Sequence, residues 1–262
     1  MAWLEQNLKQ RLTNPCLDFD VKFNITGFSD ISFADALEQV CSELKQMGDL
    51  YLGLSGGMDS EFICRVLHKH GVKFEPIITL YNNKEESDFA VSLCEELGIE
   101  PIVHQISHKK IFESHKKYLV DILNGCGDYA ILAILAAEYV SHNGGGTFIS
   151  GEHFILDGED IIKNMNYFTH LAEYDFYNYV LFENVKCIDP LLHYPEIPRH
   201  MLKCGYENQE YSWNQIRSEI YNIVPREKAR ARLDYAVETP RKCDPIGFIH
   251  FSQSQIKELF QL

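Results

Sequence analysis

Apolar and polar residues alternate from Phe19 to Thr26, with Phe19, Val21, Phe23 and Ile25 set against Asp20, Lys22, Asn24 and Thr26. A period of two predicts a half-exposed strand. Residues 1–18 are expected to form a short helix and a connection ending near Pro15. Ser32 then opens a helix with Asp35 at capping-box spacing, an inward stripe of Leu37, Val40, Cys41 and Leu44, and a stop at Gly48. From Leu50 the pattern becomes strand then helix. Leu50–Leu54 is a short apolar run, and Ser55-Gly56-Gly57 turns it into a helix facing inward at Phe62, Ile63, Val66 and Leu67. Strands follow at Phe74–Leu80, Pro101–Ile106 and Thr147–Ser150. The helices between them run from about Glu85 to Leu97 (inward Phe89, Ala90, Leu93, Leu97), from Ile111 to Leu123 (Ile111, Phe112, Leu119, Ile122, Leu123) and from Asp128 to Val140.

This rhythm predicts an α/β fold with a doubly wound parallel sheet. Gly144-Gly145-Gly146 precedes its strand, at the amino edge of the sheet, and reads as a flexible connection, because ligands bind beyond the carboxyl edge. Past residue 160 the rhythm is lost. Helices are expected over 161–184, after a turn at Ile188–Leu192 as far as Cys204, over Trp213–Ile223 and over Glu227–Val237, forming a C-terminal helical cap and a tail. The organisation expected is an N-terminal strand and helix (1–47), an α/β core (48–160) and a cap (161–262) with no Gly/Ser-rich linker before it.

Composition changes this picture little: 45% of the 262 residues are hydrophobic and 24% charged, as in an ordinary globular protein. No apolar run approaches a membrane span, and the first residues lack a signal pattern, so no membrane partner is expected. The eight cysteines include no C-x-x-C pair, and they read as reduced packing residues of a cytoplasmic protein. A formal charge of −14 argues against a broad nucleic-acid footprint. Basic residues nonetheless outnumber acidic ones between Arg199 and Lys242, where counter-charges for an anionic ligand would come from.

The chemistry concentrates at Ser55-Gly56-Gly57-Met58-Asp59-Ser60. Two glycines let backbone N–H groups approach an anion, and the new helix adds its positive end, which makes a phosphate cradle. A carboxylate in such a turn repels phosphate unless it holds a Mg²⁺ shared with it, the role expected of Asp59. The plainer alternative is a strand-to-helix turn with Asp59 as a first-turn acid. Ser150-Gly151-Glu152 leaves another strand at the same edge, followed by Asp157, Glu159 and Asp160, from which a second metal ligand could come. His104 and His108 straddle a strand end, which does not put them on one face.

The hexapeptide Ser55–Ser60 resembles the SGGxDS pyrophosphate loop of the ATP pyrophosphatases, or adenine nucleotide alpha hydrolases. That family includes asparagine synthetase, GMP synthetase, NAD synthetase and several tRNA-modifying enzymes. The resemblance implies an adenine nucleotide alpha hydrolase-like fold, ATP and Mg²⁺ as cofactors, and cleavage between the α- and β-phosphates with adenylation of a substrate oxygen. It assigns Leu54, Ser55, Gly56, Gly57, Asp59 and Ser60 to the phosphates, and Leu80 and Tyr81 to an adenine pocket.

Ser150-Gly151-Glu152 is similar to the start of the SGEGxDE loop of asparagine synthetase. This likeness gives Gly151 to the nucleotide and Glu152 to a proton from the incoming amine. His153-Phe154-Ile155 departs from the pattern, so Asp157 becomes a displaced metal ligand. Glu86–Ala90 resembles the family segment after the second strand, and Ile188–Leu192 its P-[FL]-L-D segment. Gln215-Ile216-Arg217 before Val224-Pro225 resembles the K-x-x-L-R helix, with Arg217 in the place of the catalytic Arg. Trp213 stands where the family has a pyrophosphate-binding Lys, which leaves Arg230, Arg232, Arg241 or Lys242 to serve.

The resemblance spans roughly residues 48–250, and no glutaminase half is expected since Ala2, not Cys, follows Met1. It implies a small carboxylate substrate, an amine or ammonia from a separate source, and amide formation, with the oligomeric state open. Two alternatives stand beside it. One is tRNA-base modification, using Cys126, Cys187, Cys204 or Cys243 for thiolation. The other is a catalytically decayed nucleotide-binding protein.

Overall fold

The computed structural model describes residues 3–6, 21–81, 84–122, 131–151, 154–157, 168–172, 181–224 and 248–262. β1 (Leu4–Gln6) pairs antiparallel with β2 (Val21–Phe23), so the first strand stands where a helix was expected. Trp3 is the physical reason. Its indole N–H donates to the Leu192 carbonyl at 2.8 Å and its ring packs between Phe23 and Phe260. A long-range anchor of this kind overrides local helix propensity.

α1 (Phe33–Leu44) begins with the expected capping box. Ser32 accepts from the Asp35 N–H at 3.1 Å and the Asp35 carboxylate accepts from the Ser32 N–H at 3.4 Å, an arrangement that contributes about 1 kcal/mol. Next come β3 (Leu50–Gly53), α2 (Met58–Lys69), β4 (Glu75–Leu80), α3 (Lys84–Leu97) and β5 (Ile102–Gln105). α4 (His108–Ser114) continues into a wider π-type turn over His115–Ile122, and is followed by α5 (Ile131–His142) and β6 (Gly146–Ile149). The remaining strands and helices are β7 (Phe154–Asp157), β8 (Phe168–Ala172), β9 (Val185–Ile188), α6 (Glu196–Glu207), α7 (Trp213–Tyr221), β10 (Phe248–Ser252) and α8 (Gln253–Phe260).

β3, β4, β5, β6 and β9 form one parallel sheet in the order β5-β4-β3-β6-β9. This is the doubly wound α/β arrangement the sequence predicts. Each central strand is apolar on both sides because both faces are covered. Leu52, Ile78 and Ile149 join Ile63 and Leu67 of α2 in one core, while Tyr51, Ile77 and Phe148 join Ile134 and Leu135 of α5 in the other.

Two helix stripes each lose one residue expected to face inward. α3 buries Ser87, Ala90, Leu93 and Cys94 and leaves Phe89 44% exposed, and α4 buries Ile111 and leaves Phe112 52% exposed. Each exposed ring lies about 100° round the helix from the buried line.

The chain beyond Ile149 holds more than helices. β7, β8 and β10 make an antiparallel sheet in the order β10-β8-β7, so Phe168–Ala172 is a strand within the segment expected to be helical. Its pairing with β7 and β10 decides the conformation there. The helix expected over 227–237 lies outside the described residues. Met201, Leu202, Trp213, Ile256 and Phe260 share the core of Leu52 and Ile63.

The Gly144–Gly146 run lies at the amino edge of the sheet, where Gly144 is open but Gly145 and Gly146 are closely packed. A Cβ on Gly145 would meet the Asn184 carbonyl oxygen at 2.4 Å, and φ there is +84°. Among the described residues, no helix is long and apolar enough to cross a membrane.

Candidate functional site

β3 and β6 are neighbours in the sheet, yet the chain leaves them toward opposite sides. Their carboxyl ends therefore bound the crevice where parallel sheets bind ligands. The Ser55–Ser60 turn fills one side of it. Gly56 has φ +79°, a left-handed conformation that strains any side chain with a Cβ. Gly57 is the N-cap of α2 and makes no side-chain cap hydrogen bond. The first helical N–H to meet a carbonyl is that of Glu61, on Gly57 O, so Met58, Asp59 and Ser60 lie in the first turn of α2, ahead of its own hydrogen-bond ladder.

Two serines hold this shape. The Ser60 hydroxyl donates to the Gly57 carbonyl at 3.0 Å and accepts from the Ser55 N–H at 3.3 Å. The two hydroxyl oxygens are 3.2 Å apart, and the Gly57 N–H donates to Ser55 Oγ at 3.3 Å. A turn of this shape can accept an anion without rearranging.

Asp59 points away from solvent, into a clamp built by α7. Arg217 Nη1 donates to Asp59 Oδ1 at 2.6 Å and to Oδ2 at 2.5 Å, while the Tyr221 hydroxyl donates to Oδ1 at 3.0 Å. Arg217 Nη2 donates to Asn214 Oδ1 at 2.5 Å. The ion pair is largely buried, with side-chain exposures of 9% for Arg217 and 14% for Asp59. Burial pushes the Tyr221 hydroxyl well above its ordinary range, and the Asp59 charge pushes the same way, so this phenol stays a donor.

The other side of the crevice is the end of β6. The Ser150 hydroxyl donates to the Asp189 carboxylate at the end of β9, and both residues are buried. A Cβ on Gly151 would lie 3.3 Å from Asp59 Cβ and 3.5 Å from Ile63 Cδ1, so only glycine lets this backbone rest against the cradle without pushing it. The structure thus brings the predicted Ser55–Ser60, Ser150, Gly151 and Arg217 to one place. Glu152 lies outside the described residues. Asp157 is the last residue of β7, opposite Phe168 in the antiparallel sheet and roughly 10 Å of extended strand beyond Phe154.

Leu54 is a core side chain, and it meets the site through backbone alone, its N–H donating to Ile77 O at 2.9 Å. Leu80 is half-buried at the end of β4, and Tyr81 beyond it is buried with its hydroxyl 2.6 Å from His108 Nδ1. His104 packs instead against Tyr139 on α5, at 5.0 Å, so the two histidines are separate. Trp213 is buried at the head of α7 against Gly205, where a Cβ would meet its ring at 3.0 Å. It is thereby a packing residue. Arg230, Arg232, Arg241 and Lys242 lie outside the described residues.

Sequence reasoning missed Asn214, Tyr221 and Asp189, and it weighed His108 only as a partner of His104. A spacing of three and four along α7 from Asn214 to Arg217 to Tyr221 is the one signal that could have found the first two.

As the site is arranged, the side of the Asp59 carboxylate that both oxygens share is occupied by the Arg217 guanidinium, which takes the position a bidentate divalent cation would need. Among the described residues, no group of three or more His, Cys, Asp or Glu is placed to hold a metal ion.

No protein-family model matches the chain, and no curated protein matches it in sequence. Solved structures give partial likenesses. One is an NMN synthetase from Francisella tularensis (19% identity, TM-score 0.36), sharing 47% of this chain and 56% of its own. Another is an NH3-dependent NAD synthetase from Campylobacter jejuni subsp. jejuni (22% identity, TM-score 0.35), sharing 47% of this chain and 58% of its own. A third is a glutamine-dependent NAD+ synthetase from Acinetobacter baumannii in complex with ADP (15% identity, TM-score 0.36), sharing 55% of this chain and 29% of its own. This chain therefore spans little more than half the length of the first two and under a third of the third.

Proposed function

We propose that the protein is an ATP-dependent adenylating enzyme that forms an amide, of the asparagine synthetase type. One observation carries the proposal: a left-handed glycine and an uncapped helix start, locked by Ser55 and Ser60, lie at the switch point of a parallel sheet. The β,γ-phosphates of ATP would accept from the N–H groups of Met58, Asp59 and Ser60, and the adenine would lie toward Leu80 and Tyr81.

A carboxylate oxygen of the substrate attacks the α-phosphorus. The new O–P bond forms as the bond from that phosphorus to the β-bridging oxygen breaks, and pyrophosphate leaves. An amine or ammonia then attacks the activated carbonyl carbon, the C–O bond to AMP breaks, and Glu152 is the proposed acceptor of the nitrogen's proton. The chain's contribution is orientation of the triphosphate and neutralisation of the leaving pyrophosphate by the turn.

A product screen tests this. Amino acids and small carboxylates are supplied with ATP and ammonium, and nucleotide products are resolved by chromatography. The expected result is AMP and pyrophosphate in equal amounts with at least one acceptor, and release of ADP and phosphate in their place would refute it. One observation favours a second reading, nucleotide binding without turnover: Asp59 is tied up by Arg217. ATP binding with no pyrophosphate from any acceptor would select it.

A further inference from the structure

An acid inside a phosphate-binding turn needs a positive partner, and here the partner is covalently part of the chain. Asn214, Arg217 and Tyr221 occur at spacings of three and four, which puts them on one face of α7. That face is turned to the start of α2, where both Asp59 oxygens accept from Arg217 Nη1 at 2.6 and 2.5 Å. One turn further along α2, the Phe62 ring stacks on Tyr221 at 4.1 Å between centroids and 10° between planes. Trp213, at the other end of the same helix, is seated against Gly205 of α6. α7 is thus fixed at three points, and the guanidinium has little freedom to leave.

A Mg²⁺ ion held by both Asp59 oxygens would need the space between them, which Arg217 Nη1 fills. It would also face a guanidinium in a poorly solvated site, where repulsion between cations is strong.

We propose that Arg217 is the resident cation of the Ser55–Ser60 turn, and that Asp59 is the seat of this guanidinium rather than of a divalent metal. Asp59 and Arg217 cancel one another's charge inside the turn, and Asn214 and Tyr221 are positioning residues for the pair. Any metal that arrives with a nucleotide is then carried by the phosphates and not by Asp59. This inference deepens the adenylation reading and rests on it for the identity of the anion only.

Mn²⁺ alone and Mn·ATP serve as probes, followed by electron paramagnetic resonance on wild type and Asp59→Asn. With either probe, Asp59→Asn is expected to change Mn²⁺ affinity by no more than about twofold. A wild-type site that this variant weakens by about tenfold or more overturns the proposal. Urea unfolding in EDTA and in Mg²⁺ gives a second readout. The coupling between Asp59→Asn and Arg217→Gln is expected to be equal in the two buffers, and a coupling that Mg²⁺ abolishes also overturns it.

ATP binding on the same samples separates the two claims. ATP bound together with Mn²⁺ on Asp59 sinks the clamp and spares adenylation. Absent ATP binding, with the coupling metal-independent, sinks adenylation and spares the clamp.

Discussion

Replacing Tyr221 by Phe removes one hydroxyl and leaves the ring. In the wild type that hydroxyl donates to Asp59 Oδ1 at 3.0 Å, while the ring stacks on Phe62 at 4.1 Å. A hydrogen bond to a buried charged group contributes about 1.5–3 kcal/mol. The stack survives in the Phe variant, so the loss should be that bond alone. For a chain of this size each kcal/mol moves the melting temperature by about 2–4 °C, so the variant should melt roughly 3–12 °C lower. Tyr221→Ala removes the stack too and should cost a further 2–4 kcal/mol or so.

The pH dependence is a separate check. The Tyr221 hydroxyl is raised by burial above its unfolded value of about 10, so its contribution is complete below that pH. It is lost as pH rises through the folded value. Wild type and Tyr221→Phe should therefore differ by a constant amount up to about pH 10, and the gap should narrow above it. Urea denaturation followed by fluorescence measures both effects. A Phe variant within about 0.5 kcal/mol of wild type at neutral pH would show that the hydroxyl does not hold Asp59.

Three more outcomes follow from other parts of the molecule. Gly151→Ala places a methyl 3.3 Å from Asp59 Cβ, so it should destabilise by about 1 kcal/mol in denaturant titration and weaken ATP binding in calorimetry, whereas unchanged affinity would separate Gly151 from the site. Burial pushes the Cys41 and Cys94 thiols up to about 11 and Cys64 up to about 12, so mass spectrometry after alkylation at neutral pH should find these three unmodified until the protein unfolds. Burial pushes the Glu138 carboxyl up, but hydrogen bonds from Lys110 and Tyr118 outweigh it and hold the group below the ordinary carboxylate range. Its stabilising contribution is present above about pH 4.5 and is lost as pH falls through the folded value, so Glu138→Gln should flatten the acid limb of the stability curve, and an unchanged limb would remove the cluster from the account.

The parallel sheet was legible because strands buried on both faces read as short apolar runs between periodic helices, as at Leu50–Gly53 and Gly146–Ile149. Ser32 and Asp35 announced their helix through local chemistry alone. The second sheet was not legible, since β8 pairs on one side with the nearby β7 and on the other with β10, which arrives only after a long separation in the chain. Leu4–Gln6 failed for the same reason, its conformation being fixed by Trp3 reaching Leu192. At the site, the glycine turn could be read because its geometry depends on neighbouring residues. Arg217 could be read from motif likeness, but its contact with Asp59 could not. That contact joins residues 158 apart, and only the packing of α7 on α2 brings them together.

The central claim is that the Ser55–Ser60 turn grips the triphosphate of ATP. A crystal structure with a non-hydrolysable ATP analogue tests it most directly. The account predicts the β- and γ-phosphates within hydrogen-bond distance of the Met58, Asp59 and Ser60 N–H groups, with Arg217 still on Asp59. An analogue bound elsewhere, with the turn empty at saturating nucleotide, would contradict it.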